Sequence, residues 1–197
     1  MPKSILLCTV FLMACQLQAQ SKLDSINQMG FEHYQNNQFQ KVIDLVHKSD
    51  SLNMQSFDLL GKTFVKTGLY PEAEAMYQKA LEMNPSSLKS KNELASLYLK
   101  MDEKNKAIDL YKELVDFDPT NAYFHKRAAE VYKSIGDPVN ALVHYSKANE
   151  LNPKDIENTL DLSELLVDMQ QLRAADSLIE DQLKNFPKQS VLLKTQF

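Results

Sequence analysis

The sequence predicts an all-α array of stacked helix pairs, and three observations carry that prediction. Proline recurs at a fixed interval: Pro85, Pro119, Pro153 and Pro187 each lie 34 residues after the last, and a period of that length marks a repeat architecture built from one supersecondary unit. Other columns keep the same register. Gly61 recurs as Ala95, Ala129 and Ser163; Phe64 as Tyr98, Tyr132 and Leu166; Ala73 as Ala107, Ala141 and Ala175; and Tyr77 as Tyr111, Tyr145 and Ile179. Within a unit the apolar residues follow one helical face, as Leu94, Ala95 and Tyr98 do on one run and Ala107, Leu110, Tyr111 and Leu114 on the next.

The first twenty residues stand apart. Lys3, the apolar run from Ile5 to Ala14 and the polar stretch after Cys15 read as an export signal over residues 1–19, its apolar run well short of the ~20 residues that span a bilayer. Two processing routes are open. Leu12-Met13-Ala14-Cys15 resembles the bacterial lipobox, in which the cysteine becomes the lipidated first residue, although Met13 departs from the usual small or β-branched residue. Cleavage after Ala19 instead gives a soluble chain. The expected location is therefore the periplasm or the medium, with a lipid-anchored envelope protein, modified at Cys15, as the alternative. Both cysteines, Cys8 and Cys15, fall inside this segment, so no disulfide is expected to support the fold.

From residue 23 the helical pattern runs without a break. A diverged first repeat occupies 23–53, placed by Gly30, with Asn37-Gln38-Phe39 where later repeats carry the turn Gly68-Leu69-Tyr70. Regular repeats follow at 54–87, 88–121, 122–155 and 156–189, and the tail at 190–197, with Val191, Leu192 and Leu193, is expected to cap the last helix. Pro71 and Pro138 open second helices, where a missing N–H costs nothing, and Ser86, Thr120, Asn121 and Asp155 are the expected N-caps after the periodic prolines.

This pattern resembles the tetratricopeptide repeat family over about Leu23 to Gln189, most fully in Leu60-Gly61, Phe64, Gly68, Tyr70, Ala73, Tyr77, Ala80 and Pro85. The family's aromatic residue early in the first helix survives only as Phe57, being replaced by Lys91, His125 and Thr159. The resemblance implies a right-handed superhelical solenoid of about five repeats. It also implies a non-catalytic scaffold or adaptor, without cofactor or metal, that receives a protein or extended peptide on the concave face of its first helices. The alternative reading is a lipid-anchored structural subunit of a bacterial envelope assembly. Two columns depart from the packing rule: Leu114 and Gln182 stand where Ala80 and Ala148 stand, so wider packing is expected at the first and little packing at the second.

Other chemistry is not encoded. A net charge of −4 gives no basic field for nucleic acid. His33, His47, His125 and His144 form no HExxH or comparable ligand spacing, and the four glycines are all assigned to packing or turns, leaving no phosphate cradle. Met76, Met83, Met101 and Met169 lie beside core columns and are read as core filling.

The concave face follows from helical geometry beside the core stripe. It comprises Gln55, Asp58, Lys62 and Val65, then Lys89, Asn92, Ser96 and Leu99, then Tyr123, Lys126, Glu130 and Lys133, with Glu157 and Glu164 after them. Lys62, Val65, Lys89, Asn92, Ser96, Leu99, Tyr123, Lys126 and Lys133 are the candidate partner-binding residues. On the three central helices four lysines face two acids, Asp58 and Glu130, which predicts a preference for a carboxylate-bearing segment; the resemblance assigns Asn92 to a partner's backbone. The slots that family members use to clamp chaperone tails read Asp58, Lys62, Glu93, Tyr123 and Arg127, and only Arg127 fits that role.

Overall fold

The computed structural model describes residues 3–49 and 52–187, with side chains from residue 13 onward. Every regular element among the described residues is a helix: α1 Lys3–Gln35, α2 Phe39–His47, α3 Met54–Thr67, α4 Tyr70–Met83, α5 Leu88–Lys100, α6 Lys104–Phe117, α7 Ala122–Ser134, α8 Pro138–Leu151, α9 Ile156–Asp168 and α10 Leu172–Asn185. The chain forms two compact units that divide inside α5, between Leu97 and Tyr98. The tail at 190–197, read as a cap, lies outside the described residues.

In the first unit α1 packs on α2 and α3, α2 on α3, and α3 on α4; in the second, α6 packs on α7, α7 on α8, α8 on α9, and α9 on α10. Isolated helices of this length are marginal in water, so their stability comes from these contacts. Gly61 shows how close the approach is: a Cβ there would lie 2.6 Å from the Tyr77 ring. The periodic small and aromatic columns form the core, with Ala73, Ala107, Ala141, Tyr77, Tyr111 and Tyr145 all sealed from solvent.

The turns inside the repeats share one backbone solution. Asn37, Gly68, Asp102, Gly136 and Gln170 all have φ between 56° and 78°, and each is followed by an N–H that reaches back to the preceding helix, as Leu69 N does to Phe64 O at 2.9 Å and Gln171 N to Leu166 O at 2.8 Å. That left-handed residue closes the helix end. Between repeats, one cap falls a residue later than expected: Ser87, not Ser86, caps α5 by accepting from Ser90 N. Of the two candidates before α7, Asn121 is the cap, accepting from Tyr123 N. Ser86 and Thr120 instead donate to Asn84 and Asp118 in local turns. Asp155 caps α9 as expected.

Two readings are corrected. Gln182, expected to meet little, is only 4% exposed. Met83 is not core but 53% exposed, since it sits in the last turn of α4, just before Asn84 ends the helix. The stretch read as an export signal runs continuously into the first helix of the first repeat as one helix, α1, as no proline or glycine interrupts the chain between Lys3 and Gly30. Residues 13–22 of α1 are all exposed, and Leu23 is its first buried residue among those with described side chains.

Candidate partner-binding faces

Within each unit, two consecutive first helices are cross-linked by charge. In the first unit Lys62 on α3 meets Glu93 on α5 at 2.9 Å, and Lys89 on α5 meets Asp58 on α3 at 3.0 Å. Asp58 is 1% exposed and also accepts from Ser90 Oγ at 2.8 Å. In the second unit Lys126 on α7 meets Glu157 on α9 at 2.6 Å and Asp155 at 3.6 Å, and Lys133 meets Glu164 at 2.7 Å. The pairs Asp58–Lys89, Lys62–Glu93, Lys126–Glu157 and Lys133–Glu164 are all 31 residues apart. That spacing is one repeat less about one helical turn, so each residue faces a position one turn earlier on the next first helix.

The candidate residues therefore separate into two sets. Lys62, Lys89, Lys126 and Lys133 are brought onto one surface within each unit, but all four ammonium groups are engaged. The lysine surplus counted along single helices is offset by acids on the neighbouring helix, chiefly Glu93, Asp155, Glu157 and Glu164. Val65, Asn92, Ser96 and Leu99 are half-buried, and Tyr123 is 50% exposed, set edge-on to Phe124. The Asn92 side-chain oxygen is buried without a hydrogen bond. Cys15 is exposed on α1.

Electrostatics on the second unit bind this network together. Burial alone would lower the Lys126 ammonium's pKa, but its hydrogen bond to Glu157 and the carboxylates of Asp155, Glu157 and Asp161 outweigh burial and raise it. Burial raises Glu130, against the pull of Arg127 and Lys126, and raises Asp161, with Glu157 and Glu164 adding to the effect. Arg127 is tied to Glu130 and to the Tyr111 hydroxyl. It is thus committed, like the lysines.

The sequence did not reveal the acidic halves of these pairs, nor a contact between His125 and His144 at 3.0 Å. The signal for the latter was present: His144 occupies a column otherwise filled by Met76, Leu110 and Leu178. Among the described residues no group of three or more histidines, cysteines, aspartates or glutamates converges, and no helix is long and apolar enough to cross a membrane.

Comparison with known proteins agrees with this architecture. A family model for the tetratricopeptide repeat matches residues 64–131. BBSome complex member BBS4 from Bos taurus is 31% identical over 110 residues, covering 55% of this chain and 21% of the relative. Anaphase-promoting complex subunit 3 from Schizosaccharomyces pombe is 24% identical over 129 residues, covering 64% and 19%. The chain thus spans about a fifth of each of these relatives. A crystal structure of MamA superposes with a TM-score of 0.74 at 21% identity, over 85% of this chain and 93% of that one. MamA from Desulfovibrio magneticus RS-1 does so with 0.74 at 14%, over 85% and 97%.

Proposed function

This chain is a tetratricopeptide repeat protein, and from that premise we propose that it is an exported, non-catalytic scaffold whose first-helix faces hold an extended segment of a protein partner. One observation carries the reading: successive first helices contribute side chains to a shared surface in each unit, at the positions expected to meet a partner. The two curated relatives are by name members of multi-subunit complexes, which agrees with such a role. Because Lys62, Lys126 and Lys133 already hold carboxylates, a partner's acid reaches them only by displacing Glu93, Glu157 or Glu164. Charge therefore selects weakly, and the most open candidate side chain is Lys89 in the first unit, 57% exposed although its ammonium meets Asp58, and Tyr123 in the second. Selection of random linear peptides against the full chain tests this. Selected peptides are expected to lose about tenfold in affinity, about 1.4 kcal/mol, on Lys89→Ala where they bind the first unit or on Tyr123→Ala where they bind the second; insensitivity to both changes would contradict it.

Export is supported by the same helix that begins the fold. Residues 13–22 are all exposed and Leu23 is the first buried side chain described, so cleavage after Ala19 removes no buried side chain among residues 13–19. An exposed Cys15 is equally open to lipidation, which would make the protein an anchored subunit of an envelope assembly. Intact mass of the chain recovered from the native host separates the two.

A further inference from the structure

The second unit contains a histidine pair that the partner-binding faces do not use. His125 on α7 and His144 on α8 approach to 3.0 Å between their Nδ1 atoms, with ring centres 5.2 Å apart. That centre separation is close to the nitrogen separation plus the two ring radii, so the nitrogens point at each other along one line. A shared metal ion would need lone pairs converging to one side of that line.

The proton inventory follows from the partners. His125 Nε2 lies 3.1 Å from the Pro119 carbonyl oxygen, which can only accept, so Nε2 carries hydrogen and the neutral ring leaves Nδ1 bare. The contact to His144 then requires that His144 Nδ1–H donates, leaving His144 Nε2 bare. The surroundings disfavour added charge. His125 is 7% exposed, His144 is half-buried, and Tyr132 stacks on His144 at 5.4 Å. From α6, Lys112 comes within 5.9 Å of the Tyr132 ring centre, and no described carboxylate acts on His144. Burial first, and His125 second, hold His144 below the usual histidine range.

We propose that the His125–His144 contact is a proton-operated latch between the two helices of one repeat, closed while a single hydrogen lies between the rings and released in acid. A first added proton enters at His144 Nε2, outside the gap, and leaves the contact intact. A second can enter only at His125 Nδ1, where it meets the Nδ1–H of His144, so the pair parts. The opened pair accepts that second proton from water, and a proton bound only on opening makes opening up to about tenfold more favourable per pH unit. Opening slackens α7, which carries Tyr123, Lys126 and Lys133. That consequence rests on the partner-binding reading; the latch does not.

Hydrogen exchange of the α7 and α8 amides in the full chain, corrected for intrinsic rates and compared between about pH 7.5 and about pH 5, reads the latch directly. Protection in α7–α8 is expected to fall at least about tenfold more than protection in α3–α4, and the excess is expected to vanish in His125→Gln/His144→Gln. The same excess in that variant would overturn the proposal. Nitrogen-15 spectra of the wild-type imidazoles supply a reading that needs no variant: His125 as the Nε2–H tautomer and His144 as the Nδ1–H tautomer at neutral pH support the latch, and any other pairing overturns it. Loss of protection with unchanged affinity for a selected peptide supports the latch and counts against α7 as a binding helix.

Discussion

Replacing Lys126 by glutamate separates a lysine that builds the array from one that waits for a ligand. Lys126 is 7% exposed, and its ammonium stands 2.6 Å from Glu157 and 3.6 Å from Asp155. Glu157 has 81% of its side chain exposed and the farther Asp155 32%, so each attraction is worth about 1 kcal/mol, near water-like screening rather than the larger interior value. Reversing the charge turns both attractions into repulsions, about 4 kcal/mol in all, and escape of the new side chain toward water reduces that to about 2–3 kcal/mol. Lys126→Met keeps the buried stem and leaves behind a solvated Glu157 and an Asp155 that still accepts from Asn158 N, so its expected cost is within about 1 kcal/mol. Urea unfolding followed by circular dichroism measures both, and added salt is expected to shrink the glutamate penalty. A glutamate variant within about 0.5 kcal/mol of wild type, a shift ordinary for a surface change, would refute the structural role of the pair.

Two further outcomes follow from packing and backbone. Ala141→Leu forces a large side chain into a site with 0% exposure between α7 and α8, and an expected loss of about 1–3 kcal/mol is read from the same melts. Gln170 holds φ at 60° where Gly68 and Gly136 hold the equivalent turn, so Gln170→Gly is expected to stabilise by about 0.5–1 kcal/mol; a lower urea midpoint would contradict the turn account.

What the sequence disclosed is what recurs. Pro85 and its successors, the alanine column through Ala141 and the tyrosine column through Tyr145 repeat every 34 residues, so the helix pairs and the αL position shared by Gly68 and Gly136 could be read directly. Asp102 and Gln170 could be placed in that position only by register, because neither residue type demands it. Caps were less legible: at Ser86-Ser87 and Thr120-Asn121 two adjacent polar residues compete, and the local turn to Asn84 or Asp118 decides which one caps. The ion pairs were hidden because a helical-face count stops at the end of each helix, whereas Lys62, Lys126 and Lys133 find their acids 31 residues on. Knowing that successive first helices are offset by a turn would have turned a basic stripe into a ladder. His144 was overlooked because its ligand-like spacing was tested and its presence in an apolar column was not.

Hydrogen exchange on the full chain bound to a selected peptide tests the account most directly. The prediction is protection concentrated on first helices, around Lys89 and Asn92 on α5 or around Tyr123 and Lys126 on α7, with the second helices α4 and α8 unchanged. Protection confined to α4, α8 or the exposed stretch of α1 would contradict the claim that the first-helix faces hold the partner.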